Sequence, residues 1–342
     1  MCLLFFLPCN RAPWFYVILV MFNHFNELMH YKYILLVFLL LALDCFTQPI
    51  ESWDHEKIEV KKGDEQNTII SANRIIAEGW ADLAQPKFWK QIMTLTPDSC
   101  LINIARTREV IARMSVVAWN SKSDDDKDQY RDSIRKVRGL DEEARIFFTT
   151  GKNDFYQFKK VYPTLSEGIE EFEMLGVDPW YAQAILLIES PGQLKKSRAG
   201  AYGPFQLMPK IARAQGLIVN RSMDEREDFK RSAYGSARLI SRICIPEAKR
   251  ILDTHGLVYN ENEIWFRLFV LHVYHAGGLN VAAVVKKIDP KKGDKELIKA
   301  MWINSAANFR NSSQNYSQLV LASQLILHEM VYEDCDYILD CA

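Results

Sequence analysis

The sequence predicts a mainly α-helical protein, on three observations. From Glu51 onward apolar residues recur at helical spacing, as in Ile69, Ile70, Ile75, Ile76 and Trp80. Alternating strand-like runs are scarce. Helix punctuation is clear after residue 165: Ser166 reads as an N-cap, Ile169, Phe172 and Leu175 mark one apolar face, and Gly176 is a terminator. Asp178 then caps a second helix with Pro179 in its first turn. The 342 residues are 49% hydrophobic and 25% charged, which suits a globular chain of about two domains of roughly 100–200 residues each. A formal net charge of -1 gives no overall field toward polyanions, so no nucleic-acid partner is expected.

Residues 1–47 read as a leader, either a signal peptide or a membrane anchor. The apolar run from Ile34 to Leu43 follows Lys32 and precedes Asp44; it is short for a bilayer span and fits a signal-peptide core. Met29 makes a natural start for that signal, with His30 and Lys32 as its basic region. A second apolar stretch, Trp14 to Phe22, reads equally as a membrane segment or as upstream translation. Cys45 stands where a lipoprotein signal places its acylated cysteine, yet Asp44 fills a position that usually takes a small residue, so ordinary cleavage and a retained anchor compete with lipidation. Cys100, Cys244, Cys335 and Cys341 show no CxxC spacing, so neither zinc nor a redox motif is indicated. Cys335 and Cys341 suit either a small terminal disulfide in an exported protein or two free thiols.

Residues 48–165 are expected to form a helix-rich N-terminal region of unassigned role. Within it, residues 120–128 read as a solvated loop, because Asp124, Asp125 and Asp126 lack a metal-loop glycine at a useful offset. Thr150, Gly151 and Lys152 read as an ordinary turn, since the earlier glycine of a phosphate loop is missing.

Residues 166–342 carry the chemistry. The helix from Pro179 runs through Ala184 to Ile188, ends on Glu189, and is stopped by Pro191 and Gly192. Ala182, Ile185 and Leu186 share the face of Glu189, so its carboxyl is directed toward the packed side, where desolvation favours the protonated form a general acid needs. Taken alone, a helix-end glutamate that reaches water is the commoner arrangement. A glycine-containing block follows, Ser197 to Pro209, in which Gly203 permits close backbone approach and Gln206 offers both a donor and an acceptor. A third block, Tyr274-His275-Ala276-Gly277-Gly278, ends the apolar stretch Ile264 to Val273.

In order and approximate spacing these blocks resemble the soluble lytic transglycosylases, a family of lysozyme-like enzymes. Glu189-Ser190 resembles the family's catalytic Glu-Ser pair, Gly203 to Gln206 with Leu207-Met208-Pro209 its Gly-Leu-Met-Gln block, and Tyr274 to Gly277 its Tyr-Asn-Ala-Gly block. Asn315-Tyr316 is similar to the tyrosine segment closing the domain. The resemblance covers Ser166 to Ala322, about half the chain.

The resemblance implies a lysozyme-like helical catalytic domain that cleaves peptidoglycan glycan strands in an exported, periplasmic or membrane-anchored setting of the bacterial envelope. It implies Glu189 as the acid/base, with Ser190, Gly203, Gln206, Tyr274, His275 and Tyr316 binding substrate, and neither cofactor nor metal. His272 and His275 are one turn apart, but no carboxylate completes a metal pattern. Pro204-Phe205 and His275 depart from the family pattern; the first is expected to reshape the groove wall, the second to alter hydrogen bonding or add pH sensitivity. Lys195, Lys196 and Arg198 stand between the first two blocks, where they either meet substrate carboxylates or remain solvated surface charge. A hydrolytic muramidase and a silent wall-binding protein are the alternatives.

Overall fold

The structure is a computed structural model of the full chain. The chain divides into two units, residues 1–51 and 52–342. The described residues, 53–62, 65–189, 196–334 and 337–339, all lie in the second. The leader with Cys45, the terminal Cys335 and Cys341, and Ser190 with the rest of 190–195 fall outside them.

The elements run β1 (Lys57–Lys62), β2 (Glu65–Ile70), α1 (Asn73–Ala77), α2 (Ala84–Thr94), β3 (Ser99–Ile104), β4 (Val110–Ser115), α3 (Val116–Asn120), α4 (Asp124–Arg138) and β5 (Ile146–Thr150). From there helices dominate: α5 (Phe158–Val161), α6 (Leu165–Met174), α7 (Trp180–Glu189), α8 (Pro209–Ala214), α9 (Phe229–Leu239), α10 (Ile245–Thr254), α11 (Ile264–Ala276), α12 (Gly278–Ile288), α13 (Lys295–Ile303) and α14 (Asn311–Asp334), with β6 (Tyr337–Leu339) last. The protein is mainly α, as the periodicity predicts.

The expectation of a helix-rich stretch up to residue 165 is corrected. That stretch holds five strands besides its helices, and with β6 they form two antiparallel sheets ordered β2-β1-β6 and β4-β3-β5. Ile69 and Ile70 therefore belong to a strand, not a helix. The physical reason is visible in retrospect: Ile58 and Val60 alternate with charged residues along β1, while β3 is the short, buried apolar run Cys100 to Ile104, for which periodicity cannot separate strand from helix. Residues 120–128 are also corrected, because Asp124, Asp125 and Asp126 are the acidic first turn of α4. Ser123 closes a capping box with Asp126, so the acidic run complements the positive end of the helix rather than solvating a loop.

Ser166 does not cap α6, which starts one residue earlier; its hydroxyl instead accepts from the Thr68 amide of β2 at 2.7 Å. Gly176 ends that helix at φ +64°, and the Asp178 carboxylate accepts from the Trp180 amide at 2.9 Å, so the terminator and the second cap stand as expected. Asp178 is itself paired with the fully buried Arg267 at 2.7 Å, and Arg267 also reaches Glu56 at 2.6 Å.

One continuous core joins the parts before and after residue 165, running from Ile58 and Val60 through α7 and α11 to Val331. A smaller cluster of Ile102, Ile104, Trp119, Ile134 and Ile146 packs α4 onto the second sheet. The two halves are stitched by polar groups as well. Gln183, in the middle of α7, mimics a strand: its amide donates to the Ile70 carbonyl and accepts from the Ile70 amide, both at 2.8 Å. Both partners are buried, so Gln183→Leu leaves two backbone groups unsatisfied and is expected to destabilise the fold by about 2–4 kcal/mol, read as a lowered urea midpoint.

Candidate active site

Helix α7 is apolar on every side, and Trp180 to Ile188 are all buried, because α6 and α14 pack against it. The helix therefore delivers its last residue, Glu189, from the core to the edge of a cleft of about 630 Å³. Ile188, Glu189, Lys196, Ser197, Gln206, His275, Asn311, Asn315 and Tyr316 contribute to the lining. Glu189 is the one carboxylate among the described residues of that lining, and residues 190–195 contain no Asp or Glu.

The Tyr316 hydroxyl donates to Glu189 Oε1 at 2.8 Å and is the glutamate's one hydrogen-bond partner among the described residues. Burial pushes the Glu189 carboxyl up to about 7, and the Tyr316 bond opposes the rise by favouring the ionised form. Burial, followed by the negative charge of Glu189, holds the Tyr316 hydroxyl well above its ordinary value, so it remains a donor throughout.

Helix α14 supplies Tyr316 and sets its register. Its 24 residues include buried polar side chains that bond distant parts of the chain. Asn315 accepts from Arg108 at 3.0 Å, Ser317 meets Trp302 and His272, and Gln318 accepts from Trp89 at 3.0 Å. A slip by one residue breaks all of these at once, so the tyrosine that meets Glu189 is fixed both along the helix and around it.

The glycine-containing block is a tight loop closed by reciprocal backbone bonds between Tyr202 and Leu207 at 3.1 and 3.0 Å. The buried Arg226 braces it by donating to the carbonyls of Gly200 and Leu207. Gln206 stands at φ +46°, unusual for a residue with a side chain, and donates to the Gly203 carbonyl at 3.0 Å while lining the cleft.

Two expectations for this block are corrected. Gly203 is buried and does not line the cleft; a Cβ there would fall 1.8 Å from the Arg226 carbonyl oxygen, so the glycine admits protein backbone rather than a ligand. Phe205 does not shape the groove wall either; it is fully buried, with its ring stacked on Phe172 at 5.7 Å.

In the third block, Tyr274 stands behind the cleft. Its hydroxyl donates to the Phe205 carbonyl at 2.6 Å and lies 3.2 Å from Ser236, so it anchors the glycine-containing loop to α11 instead of presenting a free group to a ligand. His275 does line the cleft, with its ring 4.4 Å from that of Tyr316. The surrounding protein lowers its pKa to about 4, which leaves the imidazole neutral over the range in which Glu189 titrates and removes the expected pH sensitivity near neutrality. His272 is fully buried against Ser317 and lowered to about 3 by the same cause. Among the described residues no group of three or more His, Cys, Asp or Glu side chains is placed to hold a metal.

The lining also holds residues that the sequence reading left without a role: Trp89, Lys152, Phe155 and Tyr156, all from the region before residue 165. Trp89 belongs to α2, which packs along α14. The other three lie on the loop after β5. A cluster of aromatic residues around a turn was their signal, but only the sheet brings it to Glu189.

This geometry can hold one carboxylic acid proton-bearing near neutrality, beside a tyrosine donor, in a cleft with an aromatic wall and an amide wall. Compared with known proteins, the chain matches no family model, no curated protein and no solved structure.

Proposed function

We propose that the chain is a glycan-cleaving enzyme of the lytic transglycosylase kind, with a lysozyme-like catalytic domain, acting on the peptidoglycan strands of the bacterial envelope. The observation that carries this reading is the pairing of a solitary carboxyl, raised to about 7, with the Tyr316 hydroxyl at 2.8 Å in a cleft that also receives Gln206. The order of the Glu-Ser, glycine-containing and Tyr-His-Ala-Gly blocks supports it.

Glycosidases usually work with two carboxyls, one for each task. A single carboxyl serves when the substrate supplies the rest. Protonated Glu189 gives its proton to the oxygen linking N-acetylmuramic acid to N-acetylglucosamine, the bond from the muramoyl anomeric carbon to that oxygen breaks, and the leaving sugar departs with a free 4-hydroxyl. The muramoyl acetamido group stabilises the developing cation. Glu189, now a carboxylate, takes the proton of the muramoyl 6-hydroxyl as its oxygen bonds to the anomeric carbon, which regenerates the acid and consumes no water. Gln206 and His275 hold sugar hydroxyl and acetamido groups, while Tyr274 acts one step back by fixing the Gln206 loop.

Digestion of purified sacculi followed by mass analysis of the soluble fragments tests the reading. Fragments ending in 1,6-anhydromuramic acid, each lighter by one water than the hydrolytic product, are expected. Fragments of the hydrolytic mass would assign a muramidase, and binding without release would assign a silent wall-binding protein.

Tyr316→Phe separates the acid from its tuning. Without the donor that favours the ionised form, burial acts alone and the Glu189 pKa rises. The alkaline limb of the rate profile therefore moves to higher pH, by about one pH unit. A limb that stays in place or moves down would break the link between this hydroxyl and the acid.

A further inference from the structure

The part of the chain before residue 165 supplies one wall of the cleft, and its construction is specific. Gly151 lets the loop after β5 close onto the end of α2: a Cβ there would lie 2.2 Å from the Leu95 carbonyl oxygen. Backbone bonds from Gly151 to Ser99, Lys152 to Ile92 and Asn153 to Leu95, at 2.9, 2.8 and 3.1 Å, then fix the loop. On this rigid base Phe155 and Tyr156 meet edge to face at 4.8 Å, and the buried Tyr156 is close enough to Glu189 to sense its charge. Phe155 is 39% exposed, a large ring left open on the wall of the cleft. Lys152, also exposed, holds its ammonium 6.0 Å from the Trp89 ring. Among the described residues lining the cleft, Lys152 and Lys196 are cations and Glu189 is the one carboxyl.

We infer that the loop of residues 151–156 forms a subsite for a glycan ring that bears a carboxylate-containing substituent: Phe155 covers the apolar face of the sugar and Lys152 pairs with the carboxylate. This rests on the glycan reading above and deepens it, because it makes the cleft selective for glycan strands that carry carboxylates, on the muramoyl lactyl group or on its peptide stem, over uncharged strands. An exposed ring packs against sugar C–H groups through its face, and a cation at the mouth of a low-polarity cleft gains more from a carboxylate than one on open surface.

The test measures binding apart from turnover. Lys152→Gln, Lys152→Arg and Phe155→Ala, each combined with Glu189→Gln, are titrated in pelleting assays against purified sacculi and against chitin, a β-1,4-linked N-acetylglucosamine polymer without carboxylates. Both positions are exposed, so the substitutions leave folding close to unchanged. Lys152→Gln is expected to weaken binding to sacculi about tenfold and to chitin hardly at all, with Lys152→Arg retaining most of the preference. Phe155→Ala is expected to weaken both. Equal loss on both polymers, or no loss on sacculi, with Lys152→Gln would overturn the subsite. The two readings fail separately: the binding pattern without fragment release by the unsubstituted chain contradicts the chemistry and leaves the subsite standing, while fragment release without the pattern does the reverse.

Discussion

Glu189→Gln is expected to lower fragment release from sacculi by at least about 10³-fold, because no other side chain of the described cleft can donate a proton to the glycosidic oxygen and later recover one. The same substitution is expected to stabilise the fold at neutral and alkaline pH. Burial raises this carboxyl from its ordinary 4.5 to about 7, so the folded state binds the proton more tightly than the unfolded chain does. Stability attached to the group is full below about pH 4.5, falls as pH rises through that interval, and is lost above about pH 7. Glutamine has no charge to bury and does not follow that curve. The variant should therefore match the original chain in acid and exceed it by about 2–3 kcal/mol at pH 8, measured by urea unfolding at each pH. Retained turnover would remove Glu189 from the chemistry, and equal stability at pH 8 would remove the burial argument.

Gly203→Ala is expected to destabilise the fold strongly. Gly203 sits at φ +84°, which a side chain resists, and the added carbon would meet the Arg226 carbonyl 1.8 Å away, a backbone atom that cannot swing aside. Arg226 in turn braces the loop through the carbonyls of Gly200 and Leu207 and is paired with Asp224 at 2.6 Å. Relief of the clash must shift the loop that carries Gln206. A loss of about 3–5 kcal/mol follows, with a further fall in glycan binding because Gln206 is displaced. Gly176→Ala provides the control: it has a similar φ of +64° but open space around it, so it should cost only about 1–2 kcal/mol.

The helical parts of the chain were legible because their signals are local. Asp178-Pro179 and Gly176 punctuate α7 and α6 in the sequence as they do in space. Glu189, Gln206, His275 and Tyr316 converge on one cleft although 127 positions separate the bonded pair, since each lies on, or on a loop anchored to, a helix whose buried face dictates its packing. What was hidden depends on partners far away in the chain. The strands before residue 165 are too short for periodicity to declare them, and their pairing is not local. The opening of α14, Asn-Ser-Ser-Gln-Asn-Tyr-Ser-Gln, has the composition of a loop; as a helix it places Asn315, Ser317 and Gln318 against buried partners elsewhere in the chain. Tyr274 and Gly203 were read as ligand contacts because both residue types serve that purpose, but packing assigns them to the Phe205 and Arg226 carbonyls. The aromatic wall of Trp89, Phe155 and Tyr156 could not be joined to Glu189 before the fold was known.

The central claim is that the Glu189 carboxyl keeps its proton up to neutrality inside the cleft. Infrared difference spectra of the unsubstituted chain against Glu189→Gln, followed across pH, measure this directly through the protonated carboxyl band. A band present at pH 6 and lost with a midpoint near pH 7 is the predicted result. A midpoint near the ordinary 4.5 would show an acid already ionised when the cleft meets its substrate, and the account would not stand.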